Sequence, residues 1–106
     1  FRHKGTAGAD STTSGNAAPM LAVLLGVGKI STDLNQISVN GGLAARATLD
    51  QGTGNLRNDT FYVGMRGGTT LPFAGRIYGL IITGAEISAA LRVTASAWMN
   101  QKTGAY

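Results

Sequence analysis

The chain is 106 residues long with a net charge of +4, which limits it to one domain of modest size. Only 13% of its residues are charged and sixteen are glycine, whereas about 25% of an average globular protein is charged, so the composition favours a β-rich fold with tight turns. The absence of cysteine excludes disulfides and thiolate metal sites, and the nine basic residues, scattered singly beyond the initial FRHK, argue against nucleic-acid binding.

The first third of the chain is predicted to be a loop followed by a strand. Residues 5–16, GTAGADSTTSGN, are small and polar and predict a loop. The apolar run that follows, residues 17–28, is shorter than the ~20 residues needed to cross a bilayer, which argues against membrane insertion. Within it, consecutive apolar positions at residues 20–27 predict a strand covered on both faces, because Pro19 and the nearby glycines disfavour a helix.

A β-hairpin is predicted around Asn40 and Gly41. Both residues tolerate the positive φ of a tight hairpin turn, and the chain alternates between apolar and polar residues on either side of them. The paired strands are expected at residues 36–39 and 43–48. The residues expected to share one face after the turn are Leu43, Ala45, Ala47 and Leu49.

A second polar loop, residues 50–59, carries the sequence DQGTGNLRND. Asp50 and Asn55, together with backbone carbonyls, offer the oxygen ligands that calcium prefers. The glycines suit a tight turn equally well. Calcium binding at this loop therefore stays open at the level of sequence.

Two further strands are expected before the end of the chain. In the first, Phe61, Val63 and Met65 alternate with Tyr62 and Arg66. In the second, residues 76–82, apolar side chains occupy both faces. A strand of this kind lies centrally in a fold, with another layer on each side.

An amphipathic helix is predicted to begin between Ala85 and Ala90, with Ser88 as N-cap and Gly104 just past its end. Its apolar stripe at helical spacing comprises Leu91, Ala95, Trp98 and Lys102. We expect this helix to cover the strand at residues 76–82. In that arrangement Trp98 is buried against Tyr78, Leu80 and Ile82.

Three stretches, ISVNGGLAARATLDQGTGN, FYVGMRGGTTLPFAGRIYGLIITGAEISAA and AWMNQKTG, resemble in their order and spacing the closing half of a concanavalin A-like (laminin G-like) jelly roll. The version they are most similar to is the one found in tailed-phage and prophage virion proteins. The resemblance implies a mainly β fold, an antiparallel β-sandwich with one C-terminal α-helix, over residues 1–106 as one domain or its C-terminal portion.

A complete domain of that family is longer than this chain, which begins on Phe1 and not on Met. We therefore expect an incomplete sandwich. Its apolar faces would be covered either by preceding residues of a longer polypeptide or by other chains. Because virion assemblies are symmetric, further copies of the same chain are the favoured source of that cover.

The resemblance implies a non-catalytic structural or adhesion module of a phage virion: a tail-fibre, tail-associated or capsid-decorating protein. Its partners would be copies of itself and other virion proteins, with no nucleic acid, no membrane insertion, no cofactor and no metal. Glucanases on this fold need paired carboxylates. The acidic residues here are Glu86, just before the predicted helix, and four aspartates in predicted loops, Asp10, Asp33, Asp50 and Asp59. The sequence therefore indicates no catalytic residue, and it disfavours a glycosidase fragment.

The alternative function is a lectin module that recognises host surface glycan. Aromatic faces stack on sugar rings, and arginine donates hydrogen bonds to hydroxyl groups. Tyr62 and Arg66 would lie on the strand face opposite Phe61, Val63 and Met65, and they are the candidate glycan-binding residues. Covering a sheet surface is the more common role of such a pair.

Overall fold

The computed structural model describes residues 1–16, 18–55, 60, 62–65 and 70–106. Within these residues, five strands and one helix form a small compact domain, and the radius of gyration, 14.2 Å, is close to the ~13 Å expected for this length. The strands are β1 Arg2–Lys4, β2 Gly8–Asp10, β3 Leu24–Lys29, β4 Leu34–Val39 and β5 Ala45–Ala47, and the helix is α1 Ala89–Thr103. A short 3₁₀ turn, Ile30–Thr32, links β3 to β4.

The central element is a three-stranded antiparallel sheet in the order β3-β4-β5. In its register Val27 lies opposite Gln36, and Ile37 lies opposite Ala45. This sheet and the C-terminal helix are the parts of the predicted architecture that the structure contains.

The predicted hairpin at Asn40 and Gly41 is confirmed. Both residues have positive φ, 51° and 68°, and the Gly42 N–H donates to the Val39 carbonyl at 2.9 Å. The turn thus has the conformation that the Asn-Gly pair favours. It joins two paired strands, β4 and β5.

The second hairpin strand is shorter than predicted, because β5 covers Ala45–Ala47 and not residues 43–48. The turn closes Val39 onto Gly42, but the ladder continues with Ile37 opposite Ala45, so one extra residue enters after the turn. Such a bulge redirects the following side chains, and Leu43 is fully exposed. Leu49 is also exposed, because β5 ends at Ala47.

The predicted loop at residues 5–16 in fact contains β2, which pairs antiparallel with β1. Strand pairing uses backbone groups, so small residues can form it without apolar side chains. The ladder is extended by the N-terminal ammonium of Phe1, which donates to the Ser11 carbonyl at 2.7 Å, and by Ser11 N–H, which donates to Phe1 at 2.9 Å. Ala9 in β2 is completely buried.

The first apolar strand begins later than predicted. β3 starts at Leu24 and not at residue 20, because its partner β4 ends at Val39, opposite Leu24. Asn40 then closes this end of the sheet. Its side-chain oxygen accepts from Val23 N–H at 2.8 Å, and its own N–H donates to the Val23 carbonyl at 2.9 Å. The peptide bond between Ala18 and Pro19 is cis.

The two strands predicted after residue 60 are wrong where the structure describes them. Phe61 lies outside the described residues, and residues 62–65 form no strand. Residues 76–82 also form no strand, and all of them are exposed. Among the described residues no other strand lies alongside them, so the backbone has no ladder to join.

The predicted helix is confirmed as α1. Ser88 Oγ accepts from Leu91 N–H at 3.2 Å as N-cap, and Gly104 ends the helix with a φ of 63°. The predicted burial of Trp98 is wrong: 48% of its surface is exposed. Trp98 lies beside Ile81 and not against the face of Tyr78, Leu80 and Ile82. In the described part of the chain, no helix has the length and apolar character needed to span a membrane.

Candidate interaction surface

An open apolar groove runs between α1 and the chain that precedes it. Its volume is about 340 Å³, and its walls are Ile81, Ile87, Leu91, Thr94, Ala95 and Trp98. The only hydroxyl among these side chains, Thr94 Oγ1, already donates to the Ala90 carbonyl within the helix at 3.1 Å. The groove therefore favours an apolar occupant over a polar one.

Ile81 lies on the other side of this groove and belongs to residues 77–82, which are called the apolar segment below. At Gly79 the backbone approaches the helix closely, because a Cβ at that position would lie 3.2 Å from the Met99 side chain. Gly79 and Ile81 thus both face α1, and this spacing of two is typical of extended backbone. A side chain at position 79 would require the flexible end of Met99 to shift by a few tenths of an ångström.

The outer face of the apolar segment consists of Tyr78, Leu80 and Ile82. These side chains are 67%, 54% and 60% exposed. They lie at alternate positions, between the residues that face α1. A continuous row of large apolar side chains on a protein surface marks an interaction site more often than scattered single residues do.

The total accessible surface of the chain is unusually large for its mass. It measures 7804 Å², whereas a compact protein of 10.9 kDa exposes about 5,600 Å². Among the residues that the structure describes, the buried hydrophobic ones are few and small: Ala9, Val23 and Val27. Much of the apolar side-chain area that other proteins place in a core is therefore at the surface here.

Glu86 forms a charged link at one end of the groove. Its carboxylate lies 3.1 Å from Lys29 Nζ and 3.3 Å from Arg92 Nη1, so it joins β3 to the first turns of α1. Hydrogen bonds from Lys29 and then Arg92, with the positive charge of Lys29, lower the pKa of Glu86 below its ordinary value. Arg92 also donates to the Ile87 carbonyl at 3.1 Å, which holds this end of the groove in place.

Of the two predicted glycan-binding residues, the structure describes only Tyr62. Its side chain is 48% exposed, so its ring is accessible. Arg66 lies outside the described residues. The pairing of these two residues in one site therefore stays a prediction.

The positions of Asp50 and the glycines in the loop at residues 50–55 follow from the geometry of a tight turn. The Asp50 carboxylate accepts from Gly52 N–H at 2.6 Å, and Gly52 and Gly54 have φ of 74° and 95°. The glycines are thus needed for the backbone conformation. In the portions of the chain that the structure describes, no three His, Cys, Asp or Glu residues cluster in a way that could hold a metal ion.

Sequence reasoning missed the buried polar residue Asn35. Its side-chain oxygen accepts from Ser11 Oγ at 3.1 Å, and its amide donates to the Ala9 carbonyl. Asn35 thus fastens the β1–β2 pair onto the three-stranded sheet. The available signal was its place in β4, two residues before Ile37 and on the same strand face.

A scan against protein-family models, a search of curated proteins and a search of solved structures each found no match for this chain. The similarity to concanavalin A-like domains therefore stays a prediction from motifs.

Proposed function

We propose that the chain is a non-catalytic structural or adhesion module of a bacteriophage virion that assembles with copies of itself and with other virion proteins. The observation that carries this proposal is the uncovered apolar surface made by the apolar segment and the groove beside α1. Proteins that stay monomeric rarely expose contiguous apolar patches of this kind. Subunits of symmetric assemblies bury them against one another.

The β-sandwich belongs to the same proposal. Its supporting features are the three-stranded antiparallel sheet, the C-terminal helix and the sequence motifs shared with concanavalin A-like virion domains. A second sheet packed on the exposed apolar side chains would give the two-layer architecture that such domains have.

The solution mass of the chain tests the assembly. Light scattering after size-exclusion chromatography should give a mass that is two or more times 10.9 kDa. A soluble species of 10.9 kDa over the full accessible concentration range would overturn the proposal. Detection of the chain in purified phage particles by a specific antibody tests its placement in the virion.

A carbohydrate-binding module is the second candidate, and the half-exposed ring of Tyr62 favours it. Glycan-array binding by the wild-type chain that is lost in Tyr62→Ala would establish this function. Leu43→Ala is the control, because Leu43 is fully exposed on a different element. A structural module is expected to bind no glycan on the array.

A further inference from the structure

We infer that Asn40 is a chemical modification site, at which the side-chain amide is lost by deamidation at a rate that the hairpin turn controls. Asn40 is the only asparagine of the chain that is followed by glycine. In this pair the backbone nitrogen of the second residue reaches the side-chain carbon of the first most easily, because glycine has no Cβ to obstruct the approach. The inference concerns the chemistry of the chain itself and is independent of the proposed function.

The reaction at Asn40 uses only groups of the chain and water. The backbone nitrogen of Gly41 bonds to Cγ of Asn40 and gives up its proton, while the bond from Cγ to Nδ2 breaks and ammonia leaves. The product is a five-membered succinimide ring. Water then opens the ring at one of its two carbonyl carbons, which leaves either aspartate or isoaspartate at position 40.

The attacking nitrogen of Gly41 is free in the structure. Gly41 is exposed, and among the described residues its N–H donates to no acceptor. The leaving nitrogen of Asn40 is held weakly, since Nδ2 lies 3.5 Å from the Ala105 carbonyl, at the outer limit of a hydrogen bond. No strong hydrogen bond therefore has to break at either nitrogen before the reaction.

The conformation of the turn nevertheless prevents the attack. Asn40 and Gly41 both have positive φ, 51° and 68°, and a hydrogen bond closes the turn, which together define type I′. In this type ψ of the first central residue is about +30°, so the Gly41 nitrogen and the Asn40 Cβ lie on opposite sides of the Cα–C bond. A five-membered ring needs them on the same side. The folded turn is therefore unreactive until it changes conformation.

Rotation of the peptide unit between Asn40 and Gly41 makes the site reactive. It converts the turn to type II′, in which ψ of the first central residue is about −120° and the nitrogen lies on the same side as Cβ. Both types have the same closing hydrogen bond, so the hairpin does not have to unfold. Two contacts oppose ring closure: Val23 N–H holds Asn40 Oδ1 at 2.8 Å, and the Tyr106 ring packs on Gly41.

The isoaspartate product should unfasten this end of the three-stranded sheet. In isoaspartate the main chain runs through Cβ and Cγ, so it is one carbon atom longer at the turn. The carbonyl group that accepts from Val23 N–H becomes part of that main chain. We therefore expect both hydrogen bonds between position 40 and Val23 to be lost, which frees the residue just before β3.

Peptide mapping by mass spectrometry measures the rate at Asn40. The folded chain and the same chain unfolded in urea are incubated at one mildly alkaline pH, because the Gly41 nitrogen attacks after losing its proton. We expect the folded chain to deamidate at least tenfold more slowly. Equal rates would overturn the control by the turn, and a position 40 that stays unmodified over a hundredfold longer incubation would overturn the site.

Tyr106→Ala tests the control directly, because it releases the turn and keeps the reacting pair. It should raise the rate in the folded chain at least threefold and leave the rate in urea unchanged. Tyr78→Ala is the matched control, an exposed tyrosine of the apolar segment, and should change neither rate. Circular dichroism checks that both variants keep α1. If Tyr106→Ala unfolds, the wild-type comparison in urea decides alone; a folded Tyr106→Ala with the wild-type rate would contradict the control by the turn.

Amide exchange at Val23 tests the consequence of the modification. The isoaspartate form is separated by chromatography, and its Val23 N–H should exchange at least tenfold faster than in the unmodified chain. Unchanged exchange would show that the end of the sheet stays closed and would refute the unfastening. A monomeric wild-type chain would refute the proposed function and leave this site standing.

Discussion

Tyr106 lies against Gly41, with a ring carbon 3.1 Å from the position that a Cβ at residue 41 would occupy. The end of the chain is held there from two sides. Tyr106 N–H donates to Asn100 Oδ1 at 2.9 Å, and its hydroxyl is 2.9 Å from Ser96 Oγ. Residues 104–106 thus join the last turns of α1 to the hairpin turn.

Gly41→Ala should therefore destabilise the fold for two reasons. Alanine at a φ of 68° costs roughly 1–2 kcal/mol, and its methyl group would displace the Tyr106 ring. Chemical denaturation of the variant, of Tyr106→Ala and of the double variant separates the two effects. We expect the double variant to be less destabilised than the sum by at least ~0.5 kcal/mol; strict additivity would show that the ring contact contributes nothing.

Asn35→Leu should lower the free energy of unfolding by about 1–3 kcal/mol, because the buried Ser11 hydroxyl and Ala9 carbonyl would lose their partner. Gln36→Leu is the matched control. It makes a similar change on the neighbouring residue, which is half-buried on the opposite strand face. Equal losses in urea titrations of the two variants would contradict the role assigned to Asn35.

The Glu86 contacts predict a pH-dependent stability. Because its pKa is lowered in the folded chain, Glu86 adds stability above its unfolded pKa of about 4.3 and loses it as pH falls through the folded pKa. Glu86→Gln should thus be less stable than wild type at about pH 7 and equal to it at about pH 2. Thermal unfolding across this range measures the difference, which should shrink in a Lys29→Gln background. A difference that grows as pH falls would refute the assignment.

Trp98→Ala should cost about 1–2 kcal/mol in the unassembled chain, because roughly half of the side chain is already in water. A fully buried tryptophan would cost about 3–5 kcal/mol. Denaturation monitored by circular dichroism measures the loss, since removing the only tryptophan also removes its fluorescence. A loss above ~3 kcal/mol would mean that the groove is closed in solution.

The hairpin and α1 could be predicted from sequence because their signals are local. The hairpin turn requires two residues that tolerate positive φ, which Asn40 and Gly41 do. The helix begins after the N-cap Ser88 and ends at Gly104. β2 was missed because it pairs through backbone groups that every residue carries. The apolar side chains on both faces of residues 76–82 indicate that both faces favour being covered by other residues. The sequence contains no information about which chain supplies that cover.

The candidate interaction surface also depends on tertiary contacts that the local sequence does not specify. Its apolar residues were visible in the sequence, yet the spacing of Leu91, Ala95 and Trp98 could not tell a buried stripe from an open groove. That distinction depends on which residues pack over the helix, which is a matter of tertiary contacts. Asn35 was missed for a related reason, since its hydrogen-bond partners, Ala9 and Ser11, lie 26 and 24 residues away along the chain.

Hydrogen–deuterium exchange of the amides of residues 77–82 tests the central claim most directly. These amides make no hydrogen bond within the part of the chain that the structure describes, so protection that appears only on assembly indicates a contact with another molecule. We predict that they exchange at the rate of an unstructured peptide in dilute, dissociated chains and become protected by at least tenfold when the chain assembles. Assembled chains in which these amides still exchange at the unprotected rate would contradict the claim.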